Sequence, residues 1–175
     1  MTTKSDDGES GSIAHGFFLF CLLFGLWLLL TGSLDPEELF AGLLVALVVT
    51  LISRPHLDVF NGLRLTPAAI PAFLSYLGLF FVALIRANVD VARRVLSPSL
   101  PLRPALVEVT TQLQSPLGRL ILANSVTLTP GTLTVDVRDD RLFIHWIDAP
   151  PGIDIDGATR EITSQFEHHL KGFVK

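Results

Sequence analysis

Apolar residues follow two patterns along this chain. Three long blocks, Ile13–Leu30, Leu39–Ile52 and Pro67–Ile85, fill the first half, while after Leu100 they come as short pulses between charged and β-branched positions. At ~1.5 Å rise per residue, the first block as a helix is about as long as a hydrocarbon core of roughly 30 Å is thick. The second is shorter and needs flanking residues such as Ser53, or a thinned site, to cross. Thr31-Gly32-Ser33-Leu34-Asp35-Pro36-Glu37-Glu38 separates them. Gly tolerates left-handed backbone, Pro suits a first helical turn, and the two glutamates complement the helix dipole. The pattern predicts a tight membrane hairpin with helices over 13–31 and 37–53. The third block runs on into Arg86-Ala87-Asn88-Val89-Asp90 and Arg93-Arg94, with Leu84, Ala87, Val91 and Val95 prolonging an apolar stripe. It predicts a helix over 67–96.

Ser97–Pro104 holds three prolines and reads as a linker, since proline cannot continue a helix. Beyond it, Leu106–Thr110 is an extended, β-branched run. Ser115-Pro116 starts a helix, Ser as cap and Pro at the first position, and Leu117, Leu120 and Ile121 follow at helical spacing. Thr132–Arg138 and Arg141–Ile147 form a hairpin around Asp139-Asp140. After Pro150-Pro151-Gly152, Asp156 is expected to cap a final helix whose Ala158, Ile162, Phe166, Leu170 and Phe173 share one face. The order β-α-β-β-α gives a small α+β domain with helices on one side of the sheet. The expected organisation is a disordered tail over 1–12, a membrane domain over 13–96, a linker over 97–104 and the α+β domain over 105–175. The membrane domain comprises a helical hairpin and a third membrane-embedded helix.

Composition sharpens this reading. Hydrophobic residues make up 49% of the chain and charged ones 17%, and the net charge of −4 is mild. No clustered basic face points to a nucleic-acid partner. Cys21 is the single cysteine, so no intrachain disulfide forms. The start is acidic, with Lys4 outnumbered by Asp6, Asp7 and Glu9, which is unlike a cleaved signal peptide. The first two blocks are read as free of ionisable side chains. The hairpin is therefore read as an anchor without an ion or proton relay. Trp27 is a candidate headgroup-level anchor. Arg86 is a candidate snorkelling side chain, and Asp90, four residues on, is placed to pair weakly with it. Charge and hydrophobic length disagree over the third helix. Its length favours a full span, but Arg54, Arg64, Arg93 and Arg94 all lie on the cytoplasmic side only if it runs along the interface or does not fully cross.

The most unusual piece of the second half is Asn124-Ser125-Val126-Thr127-Leu128-Thr129-Pro130-Gly131-Thr132. Its hydroxyls and turn amides make Asn124, Thr127, Thr129, Pro130, Gly131 and Thr132 a candidate subunit-docking loop. The plainer reading is a type II turn with Pro130 and Gly131 at its centre, leading into a strand. His145, Trp146 and Asp148 share a strand, but alternation puts His145 and Trp146 on opposite faces. His168 and His169 sit about 100° apart on a helix, poorly placed as joint ligands. No metal or cofactor site and no catalytic constellation is expected.

Three stretches resemble one family. They are Leu26–Ser33, Ala87–Val91 with Leu96-Ser97-Pro98, and Asn124–Asp136 running into Leu142–Asp148. Together they look like the E subunit of the multisubunit Mrp- or Mnh-type cation/proton antiporter. The resemblance implies a hetero-oligomeric plasma-membrane (inner-membrane) complex exchanging Na⁺, in some members K⁺, for protons, with the proton relays on larger sister subunits. It implies an accessory subunit that supports assembly and stability, is not an enzyme and carries no catalytic residues. Its partners would be the other subunits and the lipid bilayer, and its C-terminal domain would be cytoplasmic. Two alternatives stand beside it. One is the same module in a membrane-bound hydrogenase or related complex I-like assembly; the other is a membrane-anchored regulatory domain that binds a ligand.

Overall fold

The computed structural model describes residues 6–55, 60, 62–99 and 101–175. The chain divides into two compact units between Asn61 and Gly62. The first is a helical hairpin of α1 (Asp6–Thr31) and α2 (Pro36–Ser53). α1 begins at Asp6, so the disorder expected over the acidic segment gives way to helix from there on. A nucleated helix extends cheaply. The remainder of that expected tail, 1–5, lies outside the described residues.

Gly32 ends α1 at φ 61°, and its N–H bonds Leu28 O at 3.0 Å. This is the left-handed cap that glycine permits. Ser33 Oγ donates to Asp35 Oδ2 at 2.9 Å and accepts from Asp35 N at 3.1 Å, tightening the turn before Pro36 opens α2. Gly42, Ala46 and Thr50, four residues apart, are the buried positions of α2. Trp27 packs on Gly42 so closely that a Cβ there would lie 2.5 Å from the indole Cδ1. Outward positions such as Phe17, Leu29, Phe40 and Leu47 stay exposed. Ile13–Thr31 and Pro36–Ser53 are each long and apolar enough to cross a membrane.

The second unit contains α3 (Ala69–Leu96), β1 (Ala105–Thr110), α4 (Pro116–Leu128), β2 (Thr132–Arg138), β3 (Arg141–Trp146), α5 (Ile155–Ile162) and α6 (Ser164–Leu170). The sheet is antiparallel in the order β1-β3-β2. β3 shows why one face is the core: Leu142 and Ile144 are fully buried, whereas Arg141 and His145 are exposed. Ser115 caps α4 as the sequence predicts, its Oγ accepting from Gly118 N at 3.1 Å. At the next helix the cap is Asp154, not Asp156; Asp154 Oδ1 accepts from Gly157 N at 2.8 Å. Asp156 falls in the first turn instead, and the expected single helix is split at Thr163 into α5 and α6. The apolar face still holds, with Ala158, Ile162, Phe166, Leu170 and Phe173 all buried.

α3 belongs to this unit, although the sequence reading grouped it with the hairpin. Ala69 and Tyr76 are part of the buried core, and Ala72, Leu79, Phe80 and Ala83 pack against it. Phe73 meets Phe173 edge to face and Tyr76 meets it at a tilt, with ring centroids 5.5 Å apart in each case. The Tyr76 hydroxyl is hydrogen-bonded to Ser125 of α4. Behind α3, Arg64 N bonds Phe173 O at 2.8 Å and Lys175 N bonds Gly62 O at 2.9 Å, closing the unit on itself. The other face of α3 exposes Ile70, Leu74, Phe81, Ile85 and Val89.

Candidate membrane and subunit interfaces

The segment from Asn124 to Thr132 is only partly a loop. Asn124 and Thr127 lie on α4, and the turn proper is Thr129–Thr132. Thr132 N bonds Thr129 O at 3.3 Å across Pro130 and Gly131, and Gly131 has φ 97°, as a type II turn requires. The hydroxyls serve this connection. Thr127 Oγ1 donates to Ala123 O, Thr129 Oγ1 to Ser125 O, Thr132 Oγ1 to Val126 O and Thr134 Oγ1 to Ala123 O, at 2.7 to 3.0 Å. They bond carbonyls of the last turns of α4, and of these Ser125 O and Val126 O are among the acceptors that the helix end leaves without intrahelical partners. The side chains of this segment that remain outside are Asn124, Thr127 and Leu128, with Leu120 a turn earlier.

Pro130 and Gly131 line a recess of about 220 Å³ with Ala83, Asp90 and Arg94 of α3 and with Trp146 and Asp148. Here Asp90 departs from expectation. Its partner is Arg94, at 2.7 Å, rather than Arg86. Arg94 is held because Asp148 draws the same guanidinium, Nη1 lying 2.5 Å from Asp148 Oδ2. Asp148 also accepts from Arg103 Nε at 2.7 Å, and Arg94 Nη1 reaches Pro101 O at 3.0 Å. Hydrogen bonds from Arg103 and then Arg94 hold the Asp148 carboxyl below the usual carboxylate range. The network ties the end of α3 and the proline-rich linker to the end of β3. Arg94 and Asp148 stand 54 positions apart, and no local pattern signals that they meet.

Trp27 is locked within the hairpin, its Nε1 donating to Glu38 O at 3.1 Å, at the turn end where a headgroup-level indole was expected. The reading of the hairpin as free of ionisable groups overlooked His15, which lies in the first apolar block and whose Nδ1 is buried without a hydrogen-bond partner. Arg86 is exposed and lines a second recess, of about 510 Å³, between α3 and α6. Gly78, Leu79 and Val82 form its apolar side and Ser164, Gln165, His168 and His169 its polar side. The two histidines thus reach one recess despite pointing apart, their ring centroids 5.4 Å from each other. Among the described residues, no three His, Cys, Asp or Glu side chains converge as a metal site would need.

An apolar hairpin, a helix with one greasy face outward and an appended α+β layer define a small membrane protein. Residues 20–172 match the model of the Na⁺/H⁺ ion antiporter subunit family. The chain is 33% identical over 152 residues to the E subunit of the Na⁺/H⁺ antiporter of Alkalihalophilus pseudofirmus, covering 86% of this chain and 92% of that one. It is 36% identical over 124 residues to the E1 subunit of the Na⁺/H⁺ antiporter of Staphylococcus saprophyticus, covering 70% and 75%. Among solved structures, it resembles a chain of the membrane-bound sulfane sulfur reductase, an archaeal respiratory membrane complex. That match has 40% identity and a TM-score of 0.79, and covers 90% of this chain and 98% of that one. The chain belongs to the family of Na⁺/H⁺ antiporter E subunits.

Proposed function

We propose that this chain is an accessory subunit of a multisubunit Na⁺(K⁺)/H⁺ antiporter, holding the assembly together rather than carrying the ion path. The observation that carries this reading is the polarity of α1 and α2: between Ile13 and Ile52 the only carboxylates are Asp35 in the turn and Glu37 and Glu38 in the first turn of α2, and there is no lysine or arginine. A cation or proton crossing the bilayer needs such groups. His15, near the cytoplasmic end of α1 when α1 and α2 both span, is too isolated to form a relay. Docking is assigned to the exposed side of α4, Leu120, Asn124 and Leu128, next to the Thr129–Thr132 turn.

In this reading α1 and α2 span and α3 does not. From Ala69 to Arg94, roughly 37 Å at ~1.5 Å per residue, one side of α3 carries contacts to the α+β layer. A polar domain packed along that length is incompatible with a lipid-surrounded span. α3 then lies along the membrane surface with Ile70, Leu74, Phe81, Ile85 and Val89 toward lipid, as amphipathic interfacial helices do. Two spans also bring Arg54, Arg64, Arg93 and Arg94 to the cytoplasmic side and leave Glu37 and Glu38 outside, as the positive-inside rule asks. The α+β domain is then cytoplasmic.

Deleting this chain while the sister subunits are expressed is expected to abolish recovery of the intact complex and Na⁺/H⁺ exchange in membrane vesicles. Wild-type assembly and exchange without it would refute the accessory role. The likeness to a chain of a respiratory membrane complex favours a second reading, the same module coupled to a redox enzyme. Purification from native membranes decides between them: antiporter subunits alone support the first, and co-purifying iron–sulfur or nickel protein supports the second.

A further inference from the structure

We propose that the recess between α3 and α6 is a phosphate site, filled by the headgroup of an anionic phospholipid or by free orthophosphate. Its polar side carries Arg86, Gln165, His168 and His169, and among the described residues no carboxylate lines it. Arg86 has no acidic partner among the described residues, so its guanidinium is open to a ligand anion. Glu167, next in sequence to the histidines, is turned away and consumed by Thr111, Gln112 and Lys171. His169 is oriented by its Nδ1, 3.0 Å from Gln165 O. A guanidinium fork beside an amide N–H₂ is a donor set that phosphate oxygens take up.

The opposite side of the recess is greasy. Val82 borders it and continues into Phe81 and Ile85 on the exposed side of α3. At Gly78 a Cβ would meet no atom within 4 Å. A ligand with a phosphate at one end and an acyl chain at the other suits both sides, which favours the lipid source. The lipid assignment rests on the reading of α3 as membrane-facing; the phosphate site does not.

The test uses the full-length chain in phosphatidylcholine nanodiscs, with phosphatidylglycerol added at rising mole fraction in one series and orthophosphate titrated in another. Bound lipid is counted by native mass spectrometry and phosphate by ³¹P NMR. Wild type is expected to retain one phosphatidylglycerol per chain, and R86Q to weaken that retention about tenfold. G78L, which fills the open side and leaves Arg86 in place, is expected to weaken it equally while the melting temperature is kept. Saturable orthophosphate binding lost in both variants, without phosphatidylglycerol retention, supports the site, assigns it to free phosphate and counts against the membrane-facing reading of α3. Binding of neither probe, or equal binding by wild type, R86Q and G78L, overturns the proposal.

Discussion

Gly131 shows how much of this protein rests on single positions. Its φ of 97° is strained for any other residue, and an added Cβ would come within 3.1 Å of Ile147 Cγ2. G131A is expected to destabilise the chain by roughly 1–2 kcal/mol, read as a lower unfolding midpoint in detergent. Asp148 makes a second residue-scale prediction. Its carboxyl is held below its usual range by Arg103 and Arg94, so its share of stability is present above the unfolded value of about 3.9 and lost as pH falls through the lower folded value. D148N should therefore melt lower than wild type at neutral pH. The gap should narrow as the pH drops below about 4, and a constant gap across that range would discount the ion pairs. Gly131 was legible as a turn residue because Pro-Gly chemistry is local. The pairing of Asp148 was not, because ion pairs between distant positions leave no spacing to read.

At the scale of elements, the hairpin and α3 illustrate two kinds of apolar helix. In α1 and α2 the small residues Gly42, Ala46 and Thr50 let the helices approach, and the bulky ones point outward. G42L would drive a side chain into the Trp27 indole. It is expected to break the Trp27–Glu38 hydrogen bond, seen as a red-shifted Trp27 emission in a W146F background, whereas G25L should leave it alone, since a Cβ at Gly25 meets nothing within 4 Å. In α3 the apolar residues are shared between two destinations, a protein core on one side and an open surface on the other. Hydropathy sums over both sides and reports a candidate span; only the burial of Tyr76 and its neighbours separates them. α6 carries the other half of that packing. L170A removes a fully buried side chain and is expected to cost about 2–5 kcal/mol.

For the whole molecule, the consequence is topology. Two spans place Leu34 and Ser99 on opposite sides of the membrane; three place them on the same side. In a C21S background, L34C should react with an impermeant maleimide added outside intact cells, and S99C only after permeabilisation. Labelling of both from outside would restore a third span. The proposed scaffold role rests on the polarity of α1 and α2, and the proposed two-span topology on the outward apolar stripe of α3.

The sequence by itself determined the elements whose signals are local. The apolar blocks, the Gly32 and Pro36 punctuation, the Ser115 cap, the hairpin around Asp139 and the period-four face from Ala158 to Leu170 each depend on neighbours within a turn or two. The motifs at Asn124–Asp136 and Leu142–Asp148 also carried the family. Tertiary structure alone decided which unit owns α3, that Arg94 and Arg103 converge on Asp148, and that Arg86 meets His168 and His169 across a recess. The reason is physical. Local propensity fixes a helix and its stripe, but an apolar side chain is satisfied equally by lipid or by protein, and only the packed fold chooses between them.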